Sequence, residues 1–268
     1  MINVGLVGCG AIGGVIAEAI VGQFSGSFNL AHVCDLDEEK AKILADKFKT
    51  APVISDLDKM IDSSDLIIEA ASPSASYSVA KKAVLKGKDV LVLSSGGLLD
   101  KPDLFLLAHE KKARIYIPSG AICGLDGVKA ARMAGIKSIV LTTKKPPRGL
   151  KGAPYIIENN IDIDSIKEET VVFEGSAEEA VKGFPKNVNV SATLSLCGIG
   201  AKETRVRIIT SPHFTSNTHE LEIRGDSGTI KTVTENVPMP TNPKTSFMAA
   251  LSALAVLRSI ATDSYIGT

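Results

Sequence analysis

Near its start the chain reads Val4-Gly5-Leu6-Val7-Gly8-Cys9-Gly10-Ala11-Ile12-Gly13. The apolar run predicts a buried strand, and glycines at the spacing G-x-G-x-x-G predict a turn that joins this strand to a helix. In such a turn Gly8 permits a tight bend, Gly10 lets the backbone approach a pyrophosphate, and Gly13 lets the helix pack closely on the strand. The N–H groups at the start of that helix then bind the phosphates.

A second predicted strand, residues 29–34, is followed directly by Asp35. An acidic residue about 20 residues after the glycine motif accepts hydrogen bonds from a ribose hydroxyl, so the motif predicts a nicotinamide dinucleotide site. Because a carboxylate repels a 2′-phosphate, the sequence favours NAD over NADP and leaves NADP open. Glycines that serve only a turn, or a site for FAD, are the alternatives. The cofactor contacts predicted from this motif are Gly8, Gly10, Ala11, Ile12, Gly13 and Asp35.

Strand and helix patterns alternate through the first part of the chain. The predicted strands are 3–7, 29–34, 66–69, 89–93 and 114–117, and the predicted helices are 12–24, 38–48, 74–86 and 102–112. Strict alternation is typical of an α/β fold with a doubly wound parallel sheet, the Rossmann arrangement. We therefore predict a dinucleotide-binding domain over residues 1–118.

The pattern changes after residue 118. Longer segments rich in Val, Ile and Thr predict strands at 138–143, 170–174, 204–210 and 221–224, and helices are predicted at 124–134, 176–182 and 188–197. This pattern predicts a C-terminal α+β domain, residues 119–243, with a mostly antiparallel sheet. A last helix, residues 244–262, is expected to join the first domain.

The charge balance argues against nucleic acid or an anionic membrane as a partner, because 30 basic and 30 acidic residues cancel and no long basic run occurs. Lys144, Lys145 and Arg148 come nearest to a basic cluster, but two prolines interrupt them, and we expect a solvated loop there. The uncharged stretch 245–257 has 13 residues, fewer than the roughly 20 that span a bilayer.

The four cysteines lie far apart and match no zinc-binding spacing, so we expect no metal and no disulfide framework. This cysteine usage fits a reducing compartment. Met1 is followed at once by a predicted strand, and we expect no signal peptide. These observations predict a cytoplasmic protein.

Three small, polar segments follow predicted strands, where ligands of such sheets bind: 71–74, 94–97 and 118–122. We expect them to line the nicotinamide ribose and ring, although ordinary turns would have similar composition. Sugar-type reductases with a similar first domain carry Glu-Lys-Pro after the fifth strand, and this chain has Ser94-Ser95-Gly96 instead. Among the four histidines, His219 enters a strand of the second domain, and this position alone favours a non-catalytic role over a catalytic one.

Three segments together resemble the L-aspartate dehydrogenase family: Pro118-Ser119-Gly120-Ala121-Ile122, Val188-Asn189-Val190-Ser191-Ala192-Thr193 and Asn217-Thr218-His219. The resemblance covers nearly the whole chain and the order of its domains. It implies NAD(P) contacts at Ala121 and Asn189, a catalytic histidine at His219 and a homodimer. It also implies L-aspartate, oxaloacetate and ammonia as substrates and products, with iminosuccinate supplied to quinolinate and hence NAD biosynthesis.

In that reaction the substrate amine must be neutral before a hydride leaves Cα, so a base with a pKa near 7 is useful. Histidine has an unperturbed pKa in this range, and we assign the role to His219, with Asn189 orienting the nicotinamide carboxamide or its ribose. The two substrate carboxylates require basic groups. The candidates for them are Lys186, Lys202, Arg205, Arg207 and Arg224.

Other functions stay open. A homoserine dehydrogenase or a dihydrodipicolinate reductase would share the general plan, although the paired histidines of the latter do not occur in this sequence. A protein that senses NAD without catalysis would need the glycine motif and Asp35 but no histidine such as His219.

Overall fold

A computed structural model describes residues 1–185, 189–240 and 242–267 of the chain. The chain divides into two compact units. The first comprises Met1–Pro118 together with Ala249–Ile266, and the second comprises Ser119–Met248.

The first unit is built on a six-stranded parallel sheet with the order β3-β2-β1-β4-β5-β6. Its strands are β1 (Ile2–Val7), β2 (Phe28–Cys34), β3 (Val53–Ile54), β4 (Leu66–Glu69), β5 (Asp89–Val92) and β6 (Ile115–Tyr116). Its helices are α1 (Ala11–Val21), α2 (Glu38–Ala45), α3 (Leu57–Ser63), α4 (Pro73–Leu85) and α5 (Pro102–Lys111). Successive strands extend the sheet to one side from β1 to β3 and to the other side from β4 to β6, as in a doubly wound sheet. This topology confirms the predicted fold class.

Apolar periodicity determines which faces of these elements are buried. Helix α1 buries Ile16 and Ile20 at helical spacing against the strands. The sequence did not predict β3 or α3, because β3 has only two residues, both exposed, and α3 is a short helix.

The second unit contains a five-stranded sheet with the order β11-β10-β7-β9-β8 and a two-stranded ribbon. Its strands are β7 (Ile136–Lys145), β8 (Thr170–Ser176), β9 (Thr204–Thr210), β10 (Asn217–Gly225), β11 (Gly228–Asn236), β12 (Pro238–Met239) and β13 (Asn242–Ser246). Its helices are α6 (Leu125–Ala134), α7 (Pro154–Glu158), α8 (Ala177–Gly183) and α9 (Asn189–Cys197). The pairs are antiparallel except for β7 with β9, so the mostly antiparallel sheet is confirmed.

Alternation along β7 and β10 separates a buried face from a solvent face. Ile139, Leu141, Thr143 and Lys145 of β7 are buried, and the residues between them are less so. His219 continues the buried row of β10 that contains Leu221 and Ile223.

The last helix, α10 (Phe247–Thr262), begins three residues later than predicted. Residues Asn242–Ser246 pair with β12 instead, and this pairing uses backbone groups that a helix would need. Within the described ranges, no helix combines the length and the apolar character that crossing a membrane requires.

Candidate active site

Two glycines of the loop between β1 and α1 are required by the protein's own backbone. Gly8 has φ +97°, and a Cβ there would lie 2.6 Å from the carbonyl carbon of Ala70. A Cβ on Gly13 would lie 2.0 Å from the carbonyl oxygen of Gly8. Both positions therefore need glycine for folding, as predicted for the turn and for the close approach of α1.

Gly10 is different, because its surroundings do not require glycine. Its φ of −76° suits any residue. A Cβ there would meet no atom within 4 Å. The space beside Gly10 is thus open to a ligand that approaches the backbone.

The start of α1 suits an anion. Gly10 caps the helix without a side-chain hydrogen bond, and the first turn carries no acidic residue. The N–H groups of Ala11, Ile12 and Gly13 occupy the positions that have no acceptor within a helix, at the positive end of the helix dipole. These residues fit the pyrophosphate of a dinucleotide.

Asp35 connects the end of β2 to the glycine loop. One carboxylate oxygen, Oδ2, accepts a hydrogen bond from the N–H of Cys9 at 2.7 Å, and Oδ1 accepts one from the N–H of Asp37 at 3.0 Å. Each carboxylate oxygen can accept a second hydrogen bond, so Asp35 can still bind a ribose hydroxyl. Burial, assisted by the charge of Asp35, raises the pKa of the Cys9 thiol to about 12 and keeps it neutral.

Glu69, the last residue of β4, is a buried carboxylate whose role the sequence analysis missed. Its Oε1 accepts from the N–H groups of Ala71 at 2.9 Å and Ser72 at 3.0 Å, and its Oε2 accepts from the N–H of Ser94 at 3.1 Å. Burial raises the pKa of Glu69 above its usual value, although these hydrogen bonds oppose the shift. The carboxylate therefore joins the loops after β4 and β5. An acid at the end of a fully buried strand is the signal that could have revealed it.

His219 lies in the second unit, inside β10 and opposite Thr143 of β7. Its Nδ1 is 3.0 Å from Oγ1 of Thr143, and only 3% of the residue is exposed. Burial, and then the charge of Lys145, lower the pKa of His219 to about 3. This value differs from the pKa near 7 that the sequence analysis expected. Both causes disfavour the imidazolium, so His219 is neutral at physiological pH.

Lys145 ends β7 on the same buried face as Thr143. The predicted solvated loop containing Lys144, Lys145 and Arg148 was wrong for the two lysines, because both belong to β7. Lys145 is 6% exposed, and its burial lowers the pKa of the ammonium to about 8. Thr143 and Lys145 line a cavity of about 10 Å³ with Ser191 of α9.

Ala121 and Asn189 come from segments that meet within the second unit. The carbonyl of Ala121 accepts a hydrogen bond from Nδ2 of the buried Asn236 at 3.0 Å. Gly120, with φ +68°, would place a Cβ 3.7 Å from Cγ1 of Val190, the residue after Asn189. The loop 119–122 therefore packs on the first turn of α9 and is anchored to the end of β11. Val188, in the motif that suggested the family, lies outside the described residues.

The basic residues that were expected to bind carboxylates do not accompany His219 where the structure describes them. Arg205 and Arg207 lie on the face of β9 opposite Val206, and Arg207 pairs with Glu174. On β10, Arg224 lies on the face opposite Ile223 and His219. Lys202 is exposed, and Lys186 falls outside the described residues.

The parallel sheet, its glycine loop and the second unit with a buried histidine define a nicotinamide-dinucleotide-dependent oxidoreductase. Residues 8–118 match the family model described as the NAD-binding domain of homoserine dehydrogenase, and residues 126–260 match the model described as the C-terminal domain of aspartate dehydrogenase. The chain therefore belongs to the aspartate dehydrogenase family.

Full-length relatives agree with this assignment. The chain is 47% identical to an L-aspartate dehydrogenase of Methanosarcina acetivorans, covering 100% of both chains. It is 40% identical to an L-aspartate dehydrogenase of Bradyrhizobium diazoefficiens, covering 100% of this chain and 94% of the relative. The crystal structure of aspartate dehydrogenase from Thermotoga maritima is similar with a TM-score of 0.75 and 26% identity, covering 99% of this chain and 98% of that one.

Proposed function

We propose that the protein is an NAD(P)-dependent L-aspartate dehydrogenase. It oxidises L-aspartate with NAD(P)⁺ and water to oxaloacetate, ammonium, NAD(P)H and a proton, through iminosuccinate. The observation that carries this proposal is the similarity to L-aspartate dehydrogenases over the full length of both chains. A buried histidine in the unit that matches the aspartate dehydrogenase C-terminal domain supports it.

The cofactor, when bound, accepts the hydride from Cα of the substrate. The residues proposed to hold it in the first unit are Gly8, Gly10, Ala11, Ile12, Gly13 and Asp35. In this assignment α1 binds the pyrophosphate with its first N–H groups, and Asp35 accepts from the adenosine ribose. The same carboxylate would repel a 2′-phosphate, so NAD is the proposed preference. Ala121 and Asn189 are the proposed cofactor contacts of the second unit.

We assign His219 a role as a neutral imidazole. The contact with Thr143 uses Nδ1 and fixes the ring, which leaves Nε2 for the substrate or for the water that hydrolyses the imine. Because an imidazolium at this position is disfavoured, His219 acts as a hydrogen-bonding group and does not store a proton between steps. The oxidation should therefore show no ionisation of His219 near its ordinary pKa of 6.5.

Three further properties belong to the same proposal. The four cysteines are free, which fits a cytoplasmic location. A homodimer is proposed from the family resemblance. The product iminosuccinate would supply quinolinate formation and NAD biosynthesis.

The decisive experiment follows absorbance at 340 nm with NAD⁺ or NADP⁺ and a panel of L-aspartate, L-glutamate, L-alanine and L-homoserine. The reverse reaction uses oxaloacetate, ammonium and NADH. Turnover confined to L-aspartate and oxaloacetate is the expected result. Turnover of homoserine alone, or NAD binding with no turnover in either direction, would contradict the proposal and leave only the cofactor site.

A matched pair of variants tests the role of His219. In His219→Asn the amide can replace Nδ1 as the hydrogen-bond partner of Thr143, but the variant has no group in place of Nε2. We therefore expect kcat to fall by about 10²-fold or more while NAD binding is retained. His213→Asn is the control, because that histidine is exposed after β9. Equal activity of the two variants would exclude His219 from the reaction.

A further inference from the structure

The position of Lys145 on the sheet is unusual for a lysine. Along the buried face of β7 it follows Ile139, Leu141 and Thr143, all of them uncharged. Its side chain passes Gly149, where a Cβ would lie 3.8 Å from Cδ of the lysine. A charged side chain at such a position is expensive to bury, and lysines are rarely found there unless they are paired.

The groups that face Lys145 come from each element packed against it. From β9 it is opposite Thr210, whose hydroxyl donates to the carbonyl of Lys145 at 2.8 Å. From α9 Val190 and Ser191 approach it, and Leu150 approaches from the segment after β7. From β10 it faces His219, whose pKa is lowered by burial and then by the charge of Lys145. His219 is thus a titratable group that faces Lys145.

Oxidation of an amine needs a proton acceptor, and the lowered pKa of His219 makes it a poor one. L-Aspartate carries an ammonium group at neutral pH, and a hydride leaves Cα only when the nitrogen has a lone pair to form the C=N bond. The substrate must therefore lose a proton first, and both the burial of His219 and the charge of Lys145 oppose protonation of the histidine. Lys145 lies beside it and has a basic nitrogen.

We propose that Lys145 is the catalytic residue that exchanges a proton with the amino nitrogen of the substrate. This inference rests on the proposed function and concerns the same site. Burial supports it, because a pKa of about 8 leaves a substantial fraction of Lys145 as the free amine in mildly alkaline solution. At its ordinary pKa of 10.5, a lysine would be almost fully protonated there.

The proton balance closes over one turnover. The neutral amine of Lys145 takes a proton from the ammonium of L-aspartate and becomes an ammonium. The hydride then passes from Cα to NAD(P)⁺, and the nitrogen lone pair forms the iminium. Water adds to the iminium carbon and gives up one proton to solvent. The resulting carbinolamine passes its hydroxyl proton to solvent as its C–N bond breaks, and Lys145 returns its proton to the departing nitrogen, which leaves as ammonia. Ammonia then takes up one of the released protons, so the net products are oxaloacetate, ammonium, NAD(P)H and one proton.

Two substitutions separate proton exchange from simple charge. Lys145→Arg retains a cation but cannot lose its proton, and Lys145→Met retains the length and the apolar surface without a charge. Both variants should lower kcat for L-aspartate oxidation by about 10²-fold or more, and the rise of kcat/KM with an inflection near pH 8 should disappear. Lys145→Met keeps the test valid if the larger arginine does not fit the site. Lys144→Met is the matched control, because Lys144 projects to the other face of β7 and pairs with Glu220.

The contrary results are equally specific. If Lys145→Arg keeps its activity and Lys145→Met mainly raises KM with an unchanged pH profile, Lys145 binds a substrate carboxylate and the proposal is wrong. Absence of L-aspartate turnover in the unmodified enzyme would instead refute the proposed function.

A measurement on the enzyme without cofactor provides a second readout. In NMR spectra of protein with lysine labelled by ¹³C at Cε, the Lys145 signal is the one that is absent from the spectrum of Lys145→Met. This signal should titrate with a midpoint near pH 8. A midpoint near 10.5 would refute the assignment of Lys145 as a proton acceptor.

Discussion

The burial of Lys145 should destabilise the folded protein in a way that depends on pH. In the folded state burial lowers the pKa to about 8 from its ordinary value of 10.5. Between these two pH values the unfolded chain binds more protons than the folded one, so the free energy of unfolding rises with pH. The destabilisation is complete below pH 8 and is lost above pH 10.5. Lys145→Met removes this dependence, since methionine does not titrate.

The size of the effect follows from the two pKa values. A pKa lowered from 10.5 to about 8 corresponds to a destabilisation of about 3 kcal/mol at neutral pH. About 2.5 kcal/mol of it should be relieved between about pH 7 and pH 10. With a urea dependence of about 2 kcal/mol per molar, the midpoint difference between Lys145→Met and the unmodified protein should shrink by roughly 1 M over that range.

Urea unfolding followed by far-UV circular dichroism measures this difference, and it suits a chain that contains no tryptophan. Two compact units need not unfold together, so the transition that Phe184→Ala shifts identifies the second unit. Lys144→Met serves as the control. A hydrogen bond to Glu220 raises the pKa of Lys144, so the urea midpoint difference between this variant and the unmodified protein should not shrink between pH 7 and pH 10. A constant difference between Lys145→Met and the unmodified protein from pH 7 to 10 would refute the reasoning.

Substitutions at three other positions test the site and the core. Gly10→Ala should leave stability unchanged or raise it by about 0.4–1 kcal/mol, since its Cβ meets no atom, yet weaken NAD binding about tenfold or more in calorimetry. A variant that binds NAD normally would show that Gly10 does not approach the cofactor. Thr143→Val should lower the free energy of unfolding by about 1–3 kcal/mol and should lower kcat, because Nδ1 of His219 loses its hydrogen-bond partner. Thr143→Ser retains the hydroxyl and should restore both the stability and kcat. Phe184→Ala should cost about 3–5 kcal/mol in urea unfolding, because the buried ring packs on Tyr155 and Phe173, and a loss below 1 kcal/mol would contradict this packing.

Most of the parallel sheet was predictable because strands such as β4 and β5 contain continuous apolar runs and alternate with amphipathic helices. The glycine motif also has a spacing that few other structures require. β11 was not predicted, since it is a sheet edge with mostly exposed, polar residues and a weak apolar alternation. Only the last residue of that strand, Asn236, is buried. Local sequence carries little information about strands of this kind, because pairing with β10 stabilises them.

The candidate site was less predictable from the sequence than the parallel sheet. His219 could be proposed from a resemblance, but its low pKa results from burial and, secondly, from the charge of Lys145, which the pairing of β7 with β10 brings near it. Lys145 itself looked like part of a polar loop because prolines follow it directly. Its burial results from period-two alternation that extends to the final residue of β7. Charged residues at strand ends therefore cannot be assigned to solvent from composition alone.

The two hydrogen bonds of Asp35 bear on how cofactor preference can change in this family. Replacing this carboxylate would remove the repulsion of a 2′-phosphate, but it would also release the N–H groups of Cys9 and Asp37 and loosen the phosphate-binding loop. A single substitution towards NADP would thus weaken the binding of both cofactors. An evolutionary or engineered switch needs a compensating change first, one that supplies new acceptors for those two N–H groups. Under the proposed assignment, NAD preference therefore depends on these two backbone hydrogen bonds as well as on charge.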